Sequence, residues 1–348
     1  MKINKWRQKM SVQTQFEKFN DNIKAGYKSI KELAEKRDIL TGILKDDADI
    51  PSFDVYNQGS YIMRTGIKPE EGKEYDIDVA LLFNVNKADF QPMELKNKIH
   101  DLLIDHTDYG AEIKKPCVTV TYKKGGEIAY HVDLVVYAYE NSDDIFSQLY
   151  IAKGIPTNTE SIKWEKADPK GLVTYINTKL SDEAERNQFR RVVRYLKKWK
   201  NRRFSDLGHI SPASIGLTLL AVDNFIYKNE DLDALINVVS AIERAFVFVG
   251  TNDDYRSLYR IELSLPWTLN FETPNDVFEK MTDGQMTDFK DKISKLKSDL
   301  EAVNNEIDEY EKCKKLNKIF GDDFEVPNET EVAKHQLNYI PSSSSSGL

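Results

Sequence analysis

The sequence predicts an α+β fold, and three observations carry that prediction. Between Phe53 and Tyr139 lie short segments rich in Val, Ile and Tyr. On either side, apolar residues recur every three or four positions. Inside the most apolar strand-like segment, "EYDIDVALLF", sit two carboxylates, Asp76 and Asp78.

Taken in order, Phe16, Phe19, Ile23, Tyr27, Ile30, Leu33 and Ala34 mark one long amphipathic helix from Ser11 to about Ala48. Pro51 punctuates it. The segments "FDVYNQ", "EYDIDVALLFNV", "CVTVTY" and "AYHVDLVVYAY" are bounded by Gly, Pro, Asn or Lys and read as strands. "KKGGE" (Lys123–Glu127) reads as the turn joining the last two. From about Asp143 helical periodicity takes over, in 182–199, 213–227, 231–248 and 276–320. The stripe Met286, Phe289, Ile293, Leu296, Leu300, Val303, Ile307 and Tyr310 suits a core-facing or hairpin helix better than a free coiled coil. These shifts divide the chain into a lobe over 1–160 with the long N-terminal helix as a brace, a helical lobe over 161–326, and a polar tail over 327–348 ending "SSSSSGL".

Composition narrows the function. The 348 residues carry a formal charge of -8, which argues against a surface that coats long nucleic acid by neutralising many phosphates. A local cationic pocket for nucleotides remains compatible with it. Cys117 and Cys313 give neither a disulfide framework nor zinc spacing, as suits a reducing compartment. The charged start "MKINKWRQKM" lacks a signal-peptide core, and no run approaches the roughly 18 apolar residues of a membrane span. A soluble cytoplasmic protein is expected.

The chemistry is expected at the aspartates. Side chains alternate along a strand, so Asp76 and Asp78 project from one face, their Cα atoms roughly 6–7 Å apart. Two such carboxylates repel and raise each other's pKa unless a cation intervenes, and Mg²⁺ takes carboxylates, water and substrate phosphates. Asp133, the lone acid in "YHVDLVVYAY", would complete a three-carboxylate set if its strand lies alongside. Solvent-facing positions on a half-exposed sheet are the alternative. Gly59-Ser60 permits close backbone approach, and its hydroxyl and N–H groups can bind phosphate. In "QFRRVVRYLKKWKNRRF" the stripe Phe189, Val192, Val193, Leu196 and Trp199 leaves Arg190, Arg194 and Lys197 on one flank. A solvated face is the usual reading of such a run; Lys197, nearest the stripe, is the candidate phosphate contact. His131 and Tyr137 share the face of Asp133, Cys117 suits a small core residue, and Arg260 is a candidate for an acceptor nucleotide.

Together Gly59-Ser60, Asp76/Asp78 and Asp133 resemble the signature of the DNA-polymerase-beta-like nucleotidyltransferases. More narrowly, "GSYIMRTGIKPEEGKEYDIDVALLFNV", "KKPCVTVTY", "YHVDLVVYA", "WEKADPKGL", "QFRRVVRYLKKWK" and "SPASIGLTLLA" look like the bacterial CD-NTases, the cGAS/DncV-like enzymes of CBASS anti-phage systems. The likeness runs from about Phe16 to Pro327. It implies a mixed-sheet nucleotidyltransferase lobe, a helical C-terminal lobe and an active site in the cleft between them. It further implies two Mg²⁺ (Mn²⁺ as a substitute) on Asp76, Asp78 and Asp133, with Gly59, Ser60, Lys197 and Ser214 at the donor nucleotide. Ser211 competes with Ser214, and either serine suits a helix cap. The implied activity joins NTP substrates into a cyclic di- or oligonucleotide that activates a downstream effector. The tail is an expected site for a conjugation enzyme or regulator. The alternatives are a tRNA- or RNA-tailing nucleotidyltransferase, which the charge disfavours, and a catalytically silent nucleotide-binding scaffold.

Overall fold

The computed structural model describes residues 11–70, 72–124, 127–205, 207–266 and 276–327. The expected Gly125-Gly126 turn and the tail beyond 327 lie outside the described residues. The chain forms two compact units, one from Lys24–Lys179 with Leu265 and Pro266, the other from the remaining described residues.

The long first helix is interrupted. Helix α1 (Val12–Ile23) ends where Lys24 pairs with Ile67 and the Ala25 amide donates to the Gly66 carbonyl. Gly26 is extended (φ -74°, ψ 149°), and α2 (Tyr27–Asp46) starts after it. The apolar periodicity runs through this break because both helices bury their stripes, α1 in the helical unit and α2 in the sheet unit.

The sheet unit is built on a seven-stranded mixed sheet. Strand β1 (Phe53–Asn57) runs antiparallel to β2 (Tyr75–Asn86), with the short helix α3 (Gly59–Met63) between them. Helix α4 (Pro92–Leu103), β3 (Ala111–Ile113) and β4 (Val118–Lys124) follow, and β5 (Glu127–Tyr139) inserts parallel to β2. The order is β1-β2-β5-β4-β3, and β5 also pairs with the hairpin β6 (Leu149–Ile155) and β7 (Asn158–Ala167). Helix α5 (Pro169–Thr178), capped by Asp168, closes the unit.

Alternation sorts the two faces. Ile77, Val79, Leu81 and Phe83 of β2, with Val132, Leu134 and Val136 of β5, pack into one core with Leu33, Leu40 and Leu44 of α2 and Leu95 and Ile99 of α4. The opposite face carries Ala80 and Leu82, then Val135, Tyr137 and Tyr139, in a smaller cluster with Cys117. By parity Asp76, Asp78 and Asp133 belong to this second face, the one not covered by α2 and α4.

The helical unit comprises α1, α6 (Glu183–Arg203), α7 (Ser214–Asn224), α8 (Asp231–Arg244), the hairpin β8 (Val247–Thr251) and β9 (Ser257–Arg260), α9 (Asp283–Asn304) and α10 (Glu309–Phe320). Phe16 and Phe19 of α1 pack with Tyr195 of α6, Phe320 of α10 and Phe324. The apolar run over 276–320 is a hairpin of two helices. It breaks after Asn304, and Asp308 caps the second helix through the Glu311 amide.

Candidate active site

The parallel register sets Asp78 directly opposite Asp133 and Asp76 opposite His131. On the far side of β5, Thr119 of β4 stands opposite Asp133. Neighbouring strands lie about 4.8 Å apart, so Asp78, Asp133 and Thr119 form one row across the sheet. Asp76 is exposed, whereas Asp78, His131 and Asp133 are half-buried.

Gly59-Ser60 is joined to this row directly. The Gln58 amide donates to the Asp78 carbonyl at 3.0 Å, extending the β1–β2 ladder to the last residue before α3. Gly59 then turns with φ +66°, and a Cβ placed on it would fall 1.9 Å from Asp78 Oδ2. The glycine is required twice, by the positive φ and by the carboxylate lying against its backbone. Ser60 is the second residue of α3, its carbonyl accepts from the Thr65 amide, and Gly66 flanks its hydroxyl.

Two hydrogen bonds hold the row in place. Thr119 Oγ1, buried on β4, donates to Asp133 Oδ1 at 2.6 Å. Tyr137, buried on β5, donates its hydroxyl to Gln58 Oε1 at 3.0 Å. Burial, aided by the charges of Asp78 and Asp168, keeps that phenol well above its ordinary pKa despite the Gln58 bond. Tyr137 is therefore a neutral donor and not a base. Cys117, two residues before Thr119 on the same face, is pushed up to about 12 by burial and then by the Asp133 charge. A thiol so raised is inert, in keeping with a core residue.

The donor set suits a hard divalent cation: three carboxylates on adjacent strands, one seated in the space that Gly59 leaves open. Among the described residues no group of three His, Cys, Asp or Glu side chains already stands close enough to hold a metal ion.

Lys197 and Ser214 belong to the helical unit. Lys197 is buried on α6. One turn later Lys200 Nζ donates to Ser214 Oγ at 2.8 Å. Sequence reasoning passed over Lys200, although the i, i+3 spacing sets it on the Lys197 side of α6. Three other cations of this helix are structural. Arg191 forks onto buried Asp231 at 2.7 Å through both Nε and Nη2. Arg194 donates to Asn20 Oδ1 of α1, and burial lowers it to about 10. Lys198 pairs with Asp323. Arg260, proposed from sequence for an acceptor nucleotide, is instead committed to Asp276 and Asp283 and to the Met281 and Phe278 carbonyls. It ties β9 to the start of α9.

The structure thus groups Gly59, Ser60, Asp76, Asp78 and Asp133 in the sheet unit, and joins Ser214 to α6 in the helical unit. Besides Lys200, sequence reasoning missed Gln58 and Thr119, whose roles depend on strand register.

Residues 53–137 match the family described as cyclic GMP-AMP synthase DncV-like, nucleotidyltransferase domain. The chain is 24% identical over 222 residues to the cyclic GMP-AMP synthase of Escherichia albertii, a match covering 61% of this chain and 46% of that protein. The chain therefore spans about half the length of that relative. To the c-di-GMP synthase of Roseivirga ehrenbergii it is 22% identical over 306 residues, covering 79% of this chain and 72% of the relative. Among solved structures, Vibrio cholerae DncV cyclic AMP-GMP synthase bound to nonhydrolyzable GTP shares the fold, with a TM-score of 0.68 at 17% identity, covering 92% of this chain and 98% of that one.

Proposed function

We propose that this chain is a nucleotidyltransferase that joins NTPs into a cyclic di- or oligonucleotide with release of pyrophosphate. The observation that carries the reading is the row Gly59–Asp78–Asp133–Thr119, in which the Gly59 turn lies against paired acids on adjacent strands. The likeness to cyclic dinucleotide synthases supports the substrate class.

In the proposed reaction a ribose hydroxyl of one nucleotide attacks the α-phosphorus of a second. The new P–O bond forms as the bond to the bridging oxygen of the β-phosphate breaks, and pyrophosphate leaves with its electron pair. Asp133 accepts the hydroxyl proton, its carboxylate held by Thr119 so that Oδ2 is the oxygen left to act. A further transfer on the linear intermediate closes the ring. Ser60 and its N–H groups bind the donor triphosphate, with Lys197 and Ser214 as further phosphate contacts. Two Mg²⁺ ions, with Mn²⁺ as a substitute, would be held by Asp76, Asp78 and Asp133, and would supply a more acidic hydroxyl and charge neutralisation on the leaving group.

A role in anti-phage signalling, through an effector that reads the product, follows as part of the proposal. Among the described residues no helix is long and apolar enough to cross a membrane, and the reading needs none. The rival RNA-tailing activity requires a broad basic track, which the charge of -8 disfavours. Labelled ATP with and without tRNA distinguishes them: nucleotide product independent of tRNA supports cyclisation, and label transferred to tRNA contradicts it.

A further inference from the structure

The helical unit contains a hollow of about 670 Å³ among α6, α9 and α10. That volume lies within the range of small-molecule sites, roughly 300–1,000 Å³. Its floor is apolar: Trp199, Leu296 and Ile319 are each almost wholly buried. Its walls carry five basic side chains against two carboxylates, in a chain whose overall balance is acidic.

Several of these charges are already engaged. Lys292 donates to the Arg203 carbonyl at 2.8 Å and lies 4.1 Å from the Phe204 ring centre. Lys295 pairs with Asp299, Lys315 with Glu306, and Asp291 with Arg256. Arg203 and Lys318 differ. Among the described residues neither meets a carboxylate, and the Arg203 guanidinium donates only to the Lys318 carbonyl, at 3.2 Å. Both stand in the last turn of a helix, where a cation is favourable. That accounts for their charge but not for the hollow with its aromatic floor. On α6, Trp199 and Arg203 lie about 200° and 240° round from Lys197, so the hollow uses the opposite side of the helix from the proposed triphosphate contacts.

We propose that this hollow is a second, non-catalytic binding site for a nucleoside polyphosphate. The base packs on the apolar floor beside Trp199, and the phosphates meet Arg203 and Lys318 at the rim. A guanidinium suits phosphate because it offers two parallel donors, and an aromatic floor suits a flat ring. Inorganic anions would leave the floor uncovered, and an uncharged aromatic would leave the rim unpaired. The site stands on its own residues and does not depend on the proposed cyclisation.

The test is ATP titration of the full chain by calorimetry in EDTA, where the three aspartates lack the cation needed to hold a triphosphate. Wild-type protein is expected to bind ATP. Arg203→Glu/Lys318→Glu is expected to weaken binding by at least about ten-fold, whereas Ser60→Ala leaves it unchanged. Both rim positions are exposed, and an unaltered melting curve certifies the fold; Lys318→Ala alone is the milder variant and should weaken binding in the same direction. Tripolyphosphate is expected to displace ATP less well than ADP does. Absence of ATP binding in EDTA, or loss of it in Ser60→Ala but not in the rim variants, would overturn the site. Equal displacement by tripolyphosphate would overturn its nucleoside character. Since no turnover is measured, a failed cyclisation assay leaves these outcomes intact.

Discussion

The Asp78 carboxylate occupies the space that a side chain on residue 59 would need, with Oδ2 only 1.9 Å from where a Cβ would stand. Gly59→Ala must therefore move Asp78 or the turn, in addition to placing Ala at φ +66°. The backbone strain should lower stability by about 1–2 kcal/mol. Activity should fall much further, about a hundred-fold, because an ångström of displacement at the acid is enough. Pyrophosphate release beside a melting curve separates the two effects.

Thr119 is a positioning residue for Asp133. Thr119→Val removes the 2.6 Å hydrogen bond while keeping the shape, and should lower kcat about ten-fold with KM little changed. Thr119→Ser, which retains the hydroxyl, should restore most of the loss. A purely packing role for Thr119 predicts the reverse order, with Val better tolerated than Ser.

Much of this site was legible in the sequence. Alternation in "EYDIDVALLF" placed Asp76 and Asp78 on one face, and the isolation of Asp133 among apolar residues marked it as costly and hence purposeful. Thr119 and Gln58 were hidden, since nothing local distinguishes them and only the β4–β5 and β1–β2 registers bring them to the acids. The hairpin β6–β7 was missed because β7 has no buried residue and so no alternation to read. The interruption at Gly26 was masked by an apolar stripe that continues on both sides. On α6 the basic run looked uniform, yet Arg191, Arg194 and Lys198 each serve a structural partner that lies far away in sequence.

The helical unit should depend strongly on Asp231. This fully buried carboxylate takes two bonds from Arg191, one from the Tyr195 hydroxyl at 2.8 Å and one from Gln188. Burial pushes it up, but Arg191, Gln188 and Tyr195 outweigh that and hold it below its ordinary 3.8. The contribution is therefore complete above pH 3.8 and lost as pH falls through the lower folded value. Asp231→Asn strands the Arg191 cation and should cost about 3–5 kcal/mol. Urea unfolding at neutral pH measures it, and the gap from wild type should shrink in strong acid.

Lys96 titrates in the opposite range. It is wholly buried, with Nζ donating to the carbonyls of Lys114 (2.6 Å), Lys115 (3.1 Å) and Gly154 (2.7 Å). Burial lowers it from 10.5 to about 8. Between those values the unfolded chain binds the proton more tightly than the folded one, so this group's contribution rises with pH from about 8 to 10.5. Compared with Lys96→Met, wild-type stability should improve across that window and stay level below it, as read from denaturant midpoints.

The central claim is most directly tested by incubating the purified chain with all four NTPs and Mg²⁺ and analysing the products by mass spectrometry. Wild-type protein should give pyrophosphate together with a phosphatase-resistant cyclic nucleotide, both absent from Asp76→Asn/Asp78→Asn. Wild-type protein that yields neither, or a double variant that yields both, would contradict it.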